Sequence, residues 1–91
     1  SLQFPGSSIE VRLLDISSHG IGMVAPLPLP IGVRCGLHFA LPRDAERTSL
    51  DVEATAVSCV LSAADGGFRL GMQFVLPLPS IARTEIERYI G

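Results

Sequence analysis

The sequence has 91 residues, of which 47% are apolar and 18% are charged, and its formal net charge is −2. These values fit one small globular domain and exclude an intrinsically disordered chain, which would be poorer in apolar residues. They also argue against nucleic-acid binding, which normally needs a basic surface, and no apolar run is long enough for membrane insertion.

The first strands are predicted by alternation of apolar and polar residues. A short strand is expected at Leu2–Phe4, followed by a turn at Pro5 and Gly6. The stretch 9–13 (IEVRL) alternates clearly and predicts a half-buried strand. Its inner face would carry Ile9, Val11 and Leu13.

The middle of the chain predicts two more strands with a connector between them. Residues 20–25 (GIGMVA) alternate, and 26–30 (PLPLP) are expected to be an extended connector because proline lacks a backbone N–H. Residues 33–41 alternate throughout, and 42–49 (PRDAERTS) are expected to be a polar hairpin loop. The inner set of this strand would be Val33, Cys35, Leu37, Phe39 and Leu41.

The last part of the chain predicts two long strands and a helix. The strand 50–61 changes phase near Val57, which predicts a β-bulge, and we expect Val57, Cys59 and Leu61 to continue its apolar face. After a turn at 64–67, the stretch 68–74 (FRLGMQF) alternates again. A helix is predicted after Pro79, because its apolar residues follow a 3.6-residue period. Those residues are Ala82, Ile86, Tyr89 and Ile90.

Five or six short antiparallel strands followed by one helix describe a small all-β barrel with a helix at one end. A closed or nearly closed sheet is expected, because a chain this short cannot easily cover two long exposed edges. Cys35 and Cys59 are predicted to be buried, reduced thiols, since no disulfide framework or zinc-ligand spacing is present. These features favour a cytoplasmic location.

The stretch 15–20 (DISSHG) places an acid, two serines, a histidine and a glycine between two apolar runs. It fits ordinary turn chemistry, in which Asp15 and Ser17 cap backbone amides and Gly20 adopts a left-handed conformation. A serine hydrolase is disfavoured, because residues adjacent in sequence rarely converge in the geometry of a catalytic triad. We therefore expect a binding turn or a structural turn, and no enzyme.

The order of these segments resembles the PilZ domain family over nearly the whole chain. Its most specific part is Asp-x-Ser-x-x-Gly directly after a strand, supported by GFRLGMQF before a C-terminal helix. The resemblance implies that residues 1–91 form a six-stranded antiparallel β-barrel with a C-terminal α-helix. It also implies a bacterial, cytoplasmic receptor domain for cyclic di-GMP, with no metal and no further cofactor.

The resemblance carries Asp15, Ser17 and Gly20 over as ligand-binding residues, with Ser18, His19 and Arg12 as further contacts. The chemistry agrees, because a carboxylate can accept hydrogen bonds from both N1–H and N2–H of guanine, and a glycine lets a flat base approach the backbone. Positive charge for the two phosphates is missing from the sequence around Asp15. Arg34 and Arg69 are candidate cationic partners for a phosphate, but isolated strand arginines are more typical of a solvated surface.

The family's second motif, Arg-x-x-x-Arg, does not precede Asp15, and the resemblance places it before Ser1. If it is present there, the protein is expected to be a receptor that relays the second-messenger level to a neighbouring domain or partner protein. Such receptors act in motility, pilus, biofilm or exopolysaccharide control. If it is absent, the alternative is a ligand-independent adaptor that acts by protein–protein contact.

Overall fold

The computed structural model describes residues 1–41 and 48–91. The predicted loop at 42–49 falls mostly on 42–47, which lie outside the described residues. The described parts of the chain form seven strands and one helix. They are β1 (Leu2–Phe4), β2 (Ser7–Ile9), β3 (Arg12–Ile16), β4 (Gly20–Ala25), β5 (Arg34–Leu41), β6 (Thr48–Ser62), β7 (Gly67–Phe74) and α1 (Ser80–Ile90).

All seven strands belong to one antiparallel sheet in the order β2-β1-β5-β6-β7-β4-β3. The predicted all-β class with a C-terminal helix is therefore confirmed, but the strand count is seven rather than six and the sheet is not closed by hydrogen bonds. The two edge strands, β2 and β3, are nevertheless joined by only Glu10 and Val11. Because Ile9 and Arg12 can be at most about 11 Å apart, the sheet must curl until its edges nearly meet.

The prediction of one strand over residues 9–13 is wrong, although the residues predicted to face inward do so. Ile9 ends β2 and Arg12 begins β3, so the chain leaves one edge of the sheet and enters the other. Ile9, Val11 and Leu13 are nevertheless partly buried against the core, as their alternation predicts. The break arises because each half pairs with a different neighbour, β1 or β4.

The core lies inside the curled sheet and is covered at one end by α1. The predicted inner faces of β5 and β7 are confirmed, and Ala82 and Ile86 join them from the helix. Tyr89 and Ile90 are predicted to be inward, but they are 41% and 50% exposed, so this part of the prediction is wrong. The largest fully buried side chains are Leu2, Met23, Leu37, Leu50, Leu70 and Ile86.

The predicted β-bulge in β6 is confirmed, since the pairing with β7 shifts between Ala56 and Ser58. Val57 is the extra residue and is 50% exposed, so the prediction that it continues the inner face is wrong. Beyond the bulge, Cys59 and Leu61 lie on the inner side, opposite Leu70 and Phe68, but Leu61 is 69% exposed and only Cys59 packs against the core. A second bulge, which was not predicted, lies in β3 between Leu13 and Asp15.

The two cysteines are unpaired but differ in burial. Cys35 is buried as predicted, whereas Cys59 is only half-buried, which corrects that part of the prediction. Burial also raises the pKa of the Cys35 thiol, which lowers the fraction of reactive thiolate. We expect a thiol reagent to label Cys59 first in the native state, and mass spectrometry of the timed products measures this order. Equal rates, or faster labelling of Cys35, would contradict the inward orientation of that side chain.

Candidate functional site

The outer face of the sheet carries a row of four residues in matched register across β3, β4, β7 and β6. Asp15 pairs with Gly22, Gly22 with Gly71, and Gly71 with Ser58. Because the bulges in β3 and β6 each insert one residue, Asp15 and Ser58 face outward while Leu13 and Cys59 face the core. The result is a strip with a polar side chain at each end and two glycines in the middle.

The two glycines of this row leave room for the polar side chains at its ends. A Cβ atom on Gly22 would lie 2.6 Å from Oδ1 of Asp15, and a Cβ on Gly71 would clash with Oγ of Ser58. The Asp15 carboxylate and the Ser58 hydroxyl therefore lie over the glycine backbone rather than pointing away from the sheet. Both groups are held next to a flat surface.

A shallow cavity of about 160 Å³ lies over this row. The two glycines form its floor, and Leu14 and Val60 contribute apolar walls. Its polar lining comes from Asp15, Ser58 and Arg69. Apolar walls with a few polar groups at the edge are the usual lining of a small-molecule site.

The Asp15 carboxylate has no hydrogen-bond or ion-pair partner among the residues that the structure describes. The side chain is exposed, so water satisfies its oxygens in the free protein. Its acceptor atoms are consequently available to a ligand that lies on the glycine floor, since only water must be displaced.

Two arginines lie beside this row, which corrects the sequence-based view that no cations cluster near Asp15. Arg12 and Arg69 both pair with Val24, one from each side, on the same outer face. Val24 is two residues from Gly22 along β4, so the arginine row is about 7 Å from the glycine row. The cluster was missed because Arg12 and Arg69 are far apart in sequence and are brought together only by strand pairing.

The turn between β3 and β4 is held by Ser17. Its backbone N–H donates to the Gly20 carbonyl at 2.9 Å, and its hydroxyl accepts from the backbone N–H groups of His19 and Gly20 at 3.2 Å each. The predicted turn chemistry is therefore present for Ser17. For Gly20 it is not, because the positive-φ glycines of the described chain are Gly6, Gly32, Gly66 and Gly91.

Gly20 is required for a different reason than the left-handed conformation predicted for it. It is the first residue of β4 and pairs with Gln73, and a Cβ atom there would clash with the backbone carbonyl of Met72. Only a residue without a side chain allows β4 to approach β7 this closely at that point. Gly20 thus sets the spacing of the two strands that supply the glycine floor.

Ser18 and His19 form the exposed tip of the same turn. The Ser18 hydroxyl and Nδ1 of His19 are 3.1 Å apart, and the Phe74 backbone N–H donates to the His19 carbonyl at 2.8 Å. Neither side chain hydrogen-bonds to Asp15 in the described structure, so the acid, base and serine do not form a triad.

Arg34 and His38 lie elsewhere on the outer face, on β5. Arg34 forms an ion pair with Glu53, and Nδ1 of His38 is 2.7 Å from Oδ1 of Asp51. All four side chains are exposed, as expected for a solvated surface. Arg34 is therefore occupied by Glu53 and does not line the cavity over the glycine row.

The described residues contain no group of three or more histidine, cysteine, aspartate or glutamate side chains that could hold a metal ion. Within the same residues, no helix has the length and apolar character needed to cross a membrane.

Comparison with protein families finds one whose model, described as PilZ domain, matches residues 1–91, the whole chain. Neither the comparison with curated proteins nor the comparison with solved structures finds a match. The family is a binding and receptor family rather than a catalytic one, and its general ligand is cyclic di-GMP.

Proposed function

Because the chain belongs to the PilZ family, we propose that it is a cyclic di-GMP receptor domain whose ligand binds on the outer face of β3, β4, β7 and β6. The observation that carries this proposal is the free Asp15 carboxylate held over the floor of Gly22 and Gly71. A carboxylate without a protein partner, next to a flat apolar surface, is suited to the edge of a purine.

The carboxylate of Asp15 selects guanine by its hydrogen-bonding pattern. The Watson–Crick edge of guanine presents two neighbouring donors, N1–H and N2–H, and a carboxylate accepts both in one plane. Adenine presents an acceptor at N1 and cannot make this pair. The base would lie over Gly22 and Gly71, with Ser58 as an additional hydroxyl partner at the far end of the row.

Arg12 and Arg69 supply the positive charge that the phosphates of cyclic di-GMP require. Both residues lie on the outer face one row from the glycine floor, and Arg69 lines the cavity above it. An Arg-x-x-x-Arg segment upstream of Ser1, of the kind that the family uses, would add to this charge. The turn that follows Asp15 contributes to binding by holding this side chain in place. It contains Ser17 and Gly20, with Ser18 and His19 at its solvent-exposed tip.

The proposed biological role is to relay the level of cyclic di-GMP to a neighbouring domain or partner protein in the bacterial cytoplasm. The outputs expected for such a receptor are motility, pili, biofilm and exopolysaccharide production. The alternative role, a ligand-independent adaptor, is favoured by exposed apolar side chains on β6 outside the cavity, where Val57 and Leu61 are 50% and 69% exposed. Exposed apolar surface of this kind can serve a protein contact.

Nuclear magnetic resonance titration tests where the ligand binds, and it detects weak as well as tight complexes. We expect cyclic di-GMP to shift the backbone amide resonances of Gly22, Gly71 and Ser58. Gly36 is the matched control, because it lies on the outer face of β5 beneath Gln3, as Gly22 lies beneath Asp15. Larger shifts at Gly36 than at Gly71 would contradict the proposed location, and no shifts at any residue would favour the adaptor.

A further inference from the structure

Asp65 lies in the turn between β6 and β7 and contacts both arginines beside the glycine row. Its Oδ2 atom is 3.3 Å from Nε of Arg69 and accepts a hydrogen bond from the Ser62 hydroxyl at 2.7 Å. Its backbone carbonyl accepts from Nη2 of Arg12 at 3.4 Å. One turn residue thus connects two cationic side chains that come from different strands.

We infer that Asp65 is a positioning residue that orients Arg69 and Arg12 for the phosphates of the ligand. The inference rests on the proposed function and extends it to a residue outside the Asp-x-Ser-x-x-Gly motif. Asp65 itself does not line the cavity over the glycine row, whereas Arg69 does. Its effect on binding must therefore pass through the arginines.

The atoms used in the contact support a positioning role. Asp65 holds Arg69 through Nε, which leaves both terminal nitrogens of the guanidinium free to donate to a phosphate. The Arg69 side chain is 60% exposed and would otherwise sample many rotamers, so fixing it in advance reduces the entropy lost on binding.

Asp65 is itself well fixed. Its side chain is 23% exposed, its backbone N–H donates to the Ser62 carbonyl at 3.2 Å, and the Gly66 backbone N–H donates to the Ala63 carbonyl in the same turn. The turn also contains Gly66 with a φ of 77°, a backbone conformation that glycine adopts without strain. A rigid turn can transmit its position to the arginines, which a mobile one could not.

The charge of the cluster remains favourable for an anion. Two guanidinium groups and one carboxylate sum to a net charge of +1. Along β7, Asp65 lies on the turn side of Arg69 and Gly71 lies on the other side, so the arginine is nearer to the floor than the carboxylate is. Salt screens the repulsion from the more distant carboxylate more strongly than it screens the direct contact between arginine and phosphate.

The test is the affinity of Asp65→Asn for cyclic di-GMP, measured by titration calorimetry beside wild type. We expect a loss of about three- to tenfold, because a charge-assisted contact is replaced by a neutral one. Asp51→Asn is the matched control, since it removes the same charge from an exposed cross-strand pair between β5 and β6, away from the glycine row. Its affinity should equal that of wild type.

A double-mutant cycle with Arg69→Gln separates positioning from general effects on structure or charge. In the Arg69→Gln background, Asp65→Asn should cause no further loss. Ser62→Ala removes the hydroxyl that donates to the Asp65 carboxylate, and it should also weaken binding, by a smaller factor. This variant keeps the test decisive if Asp65→Asn does not fold.

The outcomes distinguish the inference from the function on which it rests. Wild-type protein that binds cyclic di-GMP while Asp65→Asn binds equally well or more tightly overturns the positioning role alone. Additive losses in the double-mutant cycle also overturn it. Wild-type protein that binds no ligand overturns the proposed function, and the positioning role falls with it.

Discussion

Replacing Phe74 with alanine is expected to lower the free energy of unfolding by about 3–5 kcal/mol. Phe74 is 3% exposed, ends β7 opposite the fully buried Ala54, and belongs to the core that α1 covers. Its backbone N–H also holds the β3–β4 turn through the His19 carbonyl. Because small domains have about 5–15 kcal/mol of stability in total, this loss is a large share of it.

Urea unfolding followed by circular dichroism measures this loss. The matched control is Gln73→Ala, which changes the neighbouring residue on the exposed outer face and should alter stability by about 0.5 kcal/mol or less. A loss below about 1 kcal/mol for Phe74→Ala would mean that the side chain faces solvent and that the register of β7 is wrong.

The parts of the fold that sequence predicts well are those whose pattern is continuous over one element. β5 and β7 each alternate over their full length, because one face is buried and the other is solvated. The bulge in β6 is visible as a change of phase near Val57. In each case the information lies within a few neighbouring residues.

The parts that sequence does not predict depend on which strands pair. The stretch 9–13 alternates as one strand would, yet it divides between two edges of the sheet because its halves meet different partners. The exposure of Leu61 also depends on what covers the end of β6, which no local pattern records. Strand pairing is non-local, so alternation alone cannot specify it.

The residues of the candidate site also fall into those that a local pattern predicts and those that depend on strand pairing. Asp15 and Ser17 were found from a local motif, and the structure places them on a strand and in its turn. Ser58 and Gly71 were not predicted as site residues, and Arg69 was considered as a phosphate partner but interpreted as a solvated residue. All three reach the outer face beside Asp15 only through the pairing of β6 and β7 with β4. The spacing of two between Arg69 and Gly71 is the one local signal that they share a face.

Replacing Asp15 with asparagine is expected to weaken cyclic di-GMP binding by about ten- to a hundredfold. The substitution removes the carboxylate and with it a charge-assisted, bidentate contact to guanine worth on the order of 1.5–3 kcal/mol. The amide of asparagine also presents donor hydrogens to guanine, where the base itself offers donors. Ser17→Ala should lose less, because the Ser17 hydroxyl acts only through the turn and the backbone hydrogen bond from Ser17 to Gly20 remains in the variant.

The control for this substitution is Asp51→Asn, which removes one exposed carboxylate from the same face of the sheet without touching the glycine row. Its affinity for cyclic di-GMP should match that of the unchanged protein. If both variants lost affinity equally, the effect would be one of general charge or stability, and the specific role of Asp15 would be contradicted.

Titration calorimetry of cyclic di-GMP tests the central claim most directly. It compares the unchanged sequence with Asp15→Asn and Asp51→Asn. All three chains carry an Arg-x-x-x-Arg segment upstream of Ser1, which supplies positive charge for the phosphates of the ligand. The proposed receptor predicts saturable binding that only Asp15→Asn weakens, and weaker binding by residues 1–91 alone. Ligand at about hundred-micromolar concentration detects a complex with a binding free energy of about −5.5 kcal/mol or better. An absence of binding at that concentration would contradict the receptor and favour the adaptor.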